Sequence, residues 1–306
     1  MMFRTGCFLA ALALLTLGAC NLNKFTTDST APVLSDGSIA LDRESDLEFA
    51  RQALPASLKT LETFLVSSPE NPELLLLLSK GFNSYAFGFL EADLERARLH
   101  GTQEEVDNLS RRAVLHYLRA RTYGFRLLNR PALEDAALSG DLEATGRYVA
   151  ELTKDEMPAV FWIIQAWGAA VNLAQDDPDM VAALPVIETL MDRLLELDPG
   201  YFAGSPLALA GTYHASRPAM FGGNPEKAKQ FFERAMKEHG EGNLLIAFLY
   251  ARFYAAQTQD RELFNALMAR ILDADVTAHP DLRLQNEIAR ARARFWVENT
   301  QELFFE

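Results

Sequence analysis

Apolar residues recur along most of the chain at the three-to-four-residue spacing of helices, and no stretch alternates convincingly as a strand. Short polar connections separate these apolar-patterned segments. Together the two features predict about ten to eleven helices, at residues 46–68, 72–100, 103–129, 141–150, 156–175, 179–197, 204–216, 225–238, 243–257, 260–273 and 281–300.

Helix starts carry a repeated signal, in which a capping side chain is followed by proline and then an acid. The capping oxygen accepts an otherwise unpaired amide, proline fits the first helical position, and the acid meets the positive end of the helix dipole. The signal occurs at Asn71-Pro72-Glu73, Asp177-Pro178-Asp179 and Asn224-Pro225-Glu226, with His279-Pro280-Asp281 as a weaker copy.

Short connections and the lack of a predicted sheet favour an all-α fold of stacked antiparallel helix pairs, a tetratricopeptide-like helical-repeat superhelix. Ala228, Phe232 and Ala235 have the spacing of the second helix of such a repeat. Gly211, in the first helix, lies 17 residues before Ala228, against about 12 in a regular repeat. The additional residues fall in "RPAMFGG", which predicts a lengthened turn.

The first twenty residues, "MMFRTGCFLAALALLTLGAC", have the basic residue, the apolar run and the small residues of a secretory signal peptide. The ending "LGAC" resembles a bacterial lipobox, so we expect residues 1–19 to be removed and Cys20 to be lipidated; the alternative is an ordinary signal peptide. Asn21 after the cysteine favours the outer membrane. Residues 20–45 are expected to form a flexible tether, and residues 46–306 one helical domain.

Charge and motifs exclude several functions. The net charge of -13 argues against nucleic acid as a partner, and no segment after the leader is long enough to span a membrane. No histidines pair at metal-ligand spacing and no nucleotide-binding or nucleophile motif occurs, so neither a cofactor nor an enzymatic activity is expected. Acidic pairs such as Glu91 and Glu95 are assigned to solvated helix faces.

Two predicted helices, "LLLLLSKGFNSYAFGFL" and "AVFWIIQAWGAAVNLA", are apolar nearly all round. One interpretation is that they form the central core. The other is that part of their surface lines an apolar cavity with a few polar guides. Gly81, Gly88 and Gly168 allow two explanations in the same way, since they either permit close helix packing or leave room for a ligand. The candidate lining residues are Phe82, Tyr85, Phe89, Trp162, Gln165, Trp167 and Asn172.

The segment "TYHASRPAMFGGNPEKAKQFFERAM" and the preceding "LMDRLLELDPGYFAGSPLALAG" resemble the T-component (TatT-like) lipoproteins of TRAP transporters. Similar segments, including "ENPELLLLLSKGFNSYAFGFLEAD", run in the same order over about residues 47–295. The resemblance implies a periplasmic helical-repeat lipoprotein, often a homotrimer, that partners the solute-binding P-component and passes a hydrophobic ligand through a pore. It would place the turn residues at the pore or the partner surface: Tyr213, His214, Arg217, Phe221, Gly222 and Gly223.

Arg217 has two interpretations: it pairs with a nearby acid on the surface, or it faces a ligand carboxylate. For the chain as a whole we expect a non-enzymatic accessory lipoprotein of a TRAP system at the periplasmic face of the outer membrane. Two alternatives stay open: a repeat scaffold for envelope assembly that binds a peptide in its concave groove, and a hydrolase with an unrecognised carboxylate site.

Overall fold

The computed structural model describes residues 22–305, and all regular elements within that range are helical. The all-α class is therefore confirmed. The predicted signal peptide, Cys20 and Asn21 lie outside the described residues.

The helices, in chain order, have the following bounds. They are α1 (22–37), α2 (Ile39–Asp42), α3 (Leu47–Ser67), α4 (Pro72–Tyr85), α5 (Glu91–His100), α6 (Gln103–Leu128), α7 (Pro131–Ser139), α8 (Leu142–Ala150), α9 (Met157–Leu173), α10 (Pro178–Val181), α11 (Leu184–Leu197), α12 (Tyr201–Ala215), α13 (Pro225–His239), α14 (Leu244–Leu249), α15 (Arg261–Asp273) and α16 (Arg283–Glu298). Two π-helical segments continue these elements: Ala86–Leu90 joins α4 to α5, and Tyr250–Ala255 extends α14.

The predicted start signals act as capping chemistry requires. The side-chain oxygen of Asn71 accepts the backbone N–H of Leu74 at 3.0 Å, and that of Asn224 accepts the N–H of Lys227 at 3.0 Å. His279, the weaker copy, makes no capping hydrogen bond and precedes only a short 3-10 turn. Asn and Asp caps therefore mark true helix starts in this chain.

The helix boundaries differ from the prediction in three places. Helix α7 was not predicted; it begins at Pro131 and ends at Ser139, and the following Gly140 caps it in a left-handed conformation with φ 75°. The helix predicted over 179–197 is divided into α10 and α11 by a turn. Phe202, Ala203 and Gly204 have left-handed dihedrals inside α12, so regular helix follows Gly204, close to the predicted start.

The flexible tether predicted over residues 20–45 is wrong for the part that the structure describes, because α1 and α2 fold onto the body. The carboxylate of Asp28 accepts hydrogen bonds from Ser68 Oγ at 2.5 Å and Asn71 Nδ2 at 3.0 Å. Ala31 is fully buried in the cluster formed with α3 and α4. Polar anchoring to the α3–α4 turn and the burial of Ala31 together hold α1 in place.

Helix α9 occupies the interior of the fold, packed against α4, α6, α11 and α12. The last long helix, α16, packs against α14 and α15 and also reaches α2 and α3. Its contact with the π segment 86–90 is close, since a Cβ added at Gly88 would lie 2.7 Å from Ile288 Cδ1. The C-terminal helices thus return to the N-terminal ones, and the space between them and α9 is enclosed by helices.

Candidate functional site

A cavity of about 190 Å³ lies beside α9, between α5, α6, α11, α12, α14 and α16. Much of its wall is apolar, including Ile164, Leu173, Met191 and Leu249. Gly168 also lines it, and a Cβ added there would meet no atom within 4 Å. At Gly168 the space is open, as the cavity interpretation expects. A Cβ added at Gly81 or Gly88 would instead lie 2.6 or 2.7 Å from Leu58 or Ile288, as close helix packing expects.

A buried ion cluster forms part of the same wall. Arg292, whose side chain is 4 % exposed, donates from Nε and Nη2 to the two carboxylate oxygens of Glu95 at 3.0 and 2.9 Å. Its Nη1 also donates to the Phe87 carbonyl at 3.2 Å, in the π segment 86–90. Glu91 lies 3.5 Å from the same guanidinium and accepts a hydrogen bond from the Tyr117 hydroxyl.

The pKa values of the two carboxylates in this cluster are shifted in opposite directions. Burial raises the pKa of Glu91, and the charge of Arg292 opposes that shift only in part. Burial acts on Glu95 as well, but the bidentate contact with Arg292 leaves the pKa of Glu95 below its ordinary value. The expectation that Glu91 and Glu95 lie on a solvated face is therefore wrong.

A second arginine, Arg252, reaches the cavity from the π segment 250–255. Its guanidinium lies 3.9 Å from the ring centroid of Trp296, and its Nε is 3.8 Å from Glu95. That Nε is buried and has no hydrogen-bond partner among the described residues. Burial lowers the pKa of Arg252 to about 10. Both π segments thus bring polar groups to the cavity, in keeping with the frequent occurrence of such segments at functional sites.

Arg217 lines the cavity at its other end, where α12 gives way to the lengthened turn. Its Nη1 donates to the Tyr213 carbonyl at 2.6 Å and its Nη2 to Asn172 Oδ1 at 3.2 Å. The guanidinium lies 3.9 Å from the centroid of the Tyr213 ring. Burial lowers the pKa of Arg217 to about 10. Within residues 22–305 no carboxylate oxygen lies within 4.0 Å of the Arg217 guanidinium, the distance limit of an ion pair. The predicted surface pair between Arg217 and an acid therefore does not form.

The turn itself is held by backbone contacts that require its unusual residues. Gly222 has φ 85°, a conformation that glycine adopts without strain, and its carbonyl lies 3.0 Å from His214 Nδ1. A Cβ at Gly223 would lie 1.9 Å from the Arg217 carbonyl oxygen, so only glycine fits there. Phe221, in the same turn, is 45 % exposed. His214, Gly222 and Gly223 therefore shape the turn and do not line the cavity.

Two further cavities adjoin the central one and share wall residues with it. A space of about 70 Å³, lined also by Trp162, shares Gln165 and Ser205 with the central cavity. A space of about 320 Å³, lined also by Phe221, shares Asn172 and Arg217 with it. The two outer spaces share no residue with each other, so the central cavity lies between them.

The structure brings together some of the sequence-predicted residues and separates others. The central cavity is lined by Gln165, Asn172, Tyr213 and Arg217. Outside all three spaces lie Phe82, Tyr85, Phe89 and Trp167.

The residues outside the spaces have core contacts instead. Phe82 is 2 % exposed and stacks on His116 and Tyr123 at centroid distances of 5.5 and 5.9 Å. Trp167 is 3 % exposed and packs edge-on against Phe125 at 6.0 Å. For these side chains the core interpretation holds, and the cavity interpretation is wrong.

The charged wall was missed by the sequence analysis, although a signal for it exists. Arg292 lies four residues after Ile288 and four before Trp296, on the apolar stripe of α16. Glu91 and Glu95 follow Phe87 at the same four-residue spacing, so they lie on one face of the helix with that partly buried ring. A charge at an apolar stripe position indicates a buried partner of opposite charge.

The fold and the cavity define an all-α protein built around an internal space. Within residues 22–305 no group of three His, Cys, Asp or Glu side chains could hold a metal ion, and none of the helices there is long and apolar enough to cross a bilayer.

Residues 43–304 match the family model of the TRAP transporter T-component. The chain belongs to this family, as the resemblance predicted, and it is a component of TRAP transport systems. A comparison with curated proteins gave no match.

Proposed function

We propose that this protein binds the solute-binding P-component of a TRAP system and conducts a hydrophobic ligand through its row of cavities. Membership of the T-component family supports a transport role. In this proposal Cys20 is lipidated and holds the protein at the periplasmic face of the outer membrane, and the protein acts by binding, without chemical turnover. The resemblance also favours a homotrimer, which light scattering of the purified protein tests.

The observation that carries the proposal is the sharing of wall residues between adjacent cavities. Gln165 belongs to both the 70 Å³ and the 190 Å³ space, and Arg217 to both the 190 Å³ and the 320 Å³ space. An elongated apolar molecule could extend from one space into the next along α9. The largely apolar wall with a few polar groups is typical of small-molecule sites.

The turn at one end of this row is the proposed contact with the P-component. Met220 and Phe221 are 81 % and 45 % exposed there, beside the mouth lined by Arg217. Exposed apolar residues next to a cavity mouth are typical of interaction sites. A partner docked on them would face the opening directly.

Partner binding is tested with the full chain and the P-component in a pull-down and by surface plasmon resonance. Phe221→Asp and Arg217→Glu are each expected to weaken the complex at least about tenfold, since they introduce a buried acid into the contact. Phe305→Asp is the matched control, because Phe305 is 89 % exposed at the C-terminal end. Unchanged affinity in both turn variants would refute the proposed contact.

Ligand entry is tested at Gly168. An added Cβ at this position meets no atom within 4 Å, and Gly168 lines the central cavity. Gly168→Leu is therefore expected to fold, to fill part of the cavity and to reduce uptake of a brominated alcohol, read as quenching of tryptophan fluorescence. Gly146→Leu is the control, because Gly146 in α8 also has no atom within 4 Å of an added Cβ but does not line the cavities. Equal quenching in both variants would argue against a ligand in the central cavity.

A further inference from the structure

The wall of the central cavity carries an excess of positive charge, in a protein whose net charge is -13. The charged residues that line it are Glu91, Glu95, Arg98, Arg217, Arg252 and Arg292. Four arginines thus face two glutamates. The sign of the charge on this wall is therefore opposite to that of the protein as a whole.

The two glutamates are already neutralised within the wall. Arg292 binds Glu95 through two hydrogen bonds and also contacts Glu91, while Arg252 lies against Glu95 from the other side. This cluster is a closed set of opposite charges. The excess of positive charge lies elsewhere, on Arg98 and Arg217. Arg98 is exposed at the edge of the cavity, and Arg217 lies where the central cavity meets the 320 Å³ space, a position that we call the neck.

Arg217 is the half-buried member of that excess. Both acceptors of its guanidinium are neutral, the Tyr213 carbonyl and the Asn172 amide oxygen. The acid whose charge acts on it most, Glu188, lies 3.3 Å from the Tyr213 hydroxyl and forms no ion pair with Arg217. A guanidinium that is partly removed from water without a carboxylate is unfavourable, and the Tyr213 ring compensates only in part.

From this arrangement we propose that the ligand of the cavity is an anionic amphiphile, whose carboxylate binds Arg217 and whose apolar chain lies along α9. The inference rests on the proposed function and narrows its ligand class. The planar fork of arginine binds a carboxylate through two parallel hydrogen bonds, which the neutral acceptors do not provide. Ile164 and Gly168, on the helix beside the neck, offer the chain an apolar path toward Gln165.

The charge on the wall also sets which ligands are disfavoured. A cationic amphiphile would meet Arg217 at the neck and would be repelled there. A neutral amphiphile would gain the apolar contacts but would leave the guanidinium without a charged partner. Anions are therefore selected at this neck, whereas the apolar wall by itself selects only for chain length.

The test uses the full chain in phospholipid nanodiscs, with empty discs as the blank. The probes are 12-bromododecanoate, 12-bromododecan-1-ol and the matching trimethylammonium, and bromine quenches tryptophan fluorescence on contact. Trp162 lines the space next to the central cavity, so it reports a bromine at the far end of the chain. We expect the carboxylate to bind at least about tenfold more tightly than the alcohol, the scale of a charge-assisted hydrogen bond.

Two variants of Arg217 distinguish the effect of its positive charge from the effect of its planar guanidinium. Arg217→Gln is expected to bring the carboxylate and the alcohol to within about twofold of each other, and Arg217→Lys to keep part of the preference. Arg270→Gln is the matched control, because Arg270 is an exposed arginine of α15 and its loss changes the net charge equally. The control should leave the preference unchanged.

The outcomes distinguish this inference from the proposed function. Saturable binding of the alcohol without any preference for the carboxylate would refute the anionic ligand. It would leave intact the proposal that a hydrophobic ligand passes through the row of cavities. A preference that survives Arg217→Gln, or tighter binding of the trimethylammonium probe, would refute the role of Arg217. The absence of saturable quenching by all three probes would overturn the proposed conduction of a hydrophobic ligand through the cavities, and this inference with it.

Discussion

Replacement of Gly168 by alanine measures directly whether the wall of the central cavity is open. A glycine inside a helix costs about 1 kcal/mol relative to alanine, and an added Cβ at Gly168 meets no atom within 4 Å. Gly168→Ala should therefore raise the free energy of unfolding by about 1 kcal/mol, which corresponds to roughly 2–4 °C in Tm for a domain of this size. The gain requires that no neighbouring atom has to move.

Two further glycines provide the controls for that experiment. A Cβ added at Gly146, in α8, also meets no atom within 4 Å, so Gly146→Ala should give the same gain. At Gly81 an added Cβ would lie 2.6 Å from Leu58 Cδ2, and Leu58 is buried, so Gly81→Ala should be neutral or destabilising.

Urea denaturation of the full chain, followed by far-ultraviolet circular dichroism, gives the three values. Destabilisation by Gly168→Ala comparable to that of Gly81→Ala would refute the reasoning, because it would mean that the wall at Gly168 is closed.

Other expectations follow from the ion cluster, from the docking of α1 and from the turn. Arg292→Leu should destabilise the fold by about 3–5 kcal/mol in urea, because Glu95 is left buried without its partner, and adding Glu95→Leu should recover much of the loss; a double variant no better than the single one would contradict this. Hydrogen bonds from Lys24, within α1, and from Ser68 and Asn71, in the α3–α4 turn, lower the pKa of Asp28 to about 2. The part of this effect that comes from Ser68 and Asn71 supports the docking of α1; it is present above the unfolded pKa of about 4 and is lost as the pH falls through about 2. Hydrogen exchange of residues 22–37, corrected for intrinsic rates, checks this, and equal protection at about pH 5 and about pH 2 would count against it. Gly223→Ala should force the turn open at the Arg217 carbonyl and weaken binding of the P-component, and full binding by this variant would show that the turn conformation is not needed.

Local signals in the sequence were sufficient for most helices. The Asn and Asp caps followed by proline act through atoms within three residues of each other, so their effect does not depend on the rest of the fold. Short or polar elements were predicted less well. Helix α7 has nine residues and little periodicity, and α1 is held by Asp28 through contacts with the α3–α4 turn, about forty residues away in sequence.

For the candidate site, sequence patterns identified the helix but not the side of it that faces the cavity. Gln165, Asn172 and Arg217 were predicted and do line the central space, because a polar residue in an apolar helix needs a polar neighbour or a ligand. Phe82 and Trp167 satisfy the same apolar pattern and are packed in the core instead. An apolar side chain fits either place, so periodicity alone does not separate the two.

The sequence by itself determined the helical class, the main helix starts, the family and the presence of a lengthened, glycine-containing turn. Each of these depends on residues close together in the chain or on an ordered set of local motifs. The tertiary structure alone decided that Arg292 of the last long helix meets Glu95 of an early one, and that a cavity remains between them and α9. These two residues are 197 positions apart, and only the packing of α16 onto the N-terminal helices brings their charges together, where burial makes the pairing obligatory.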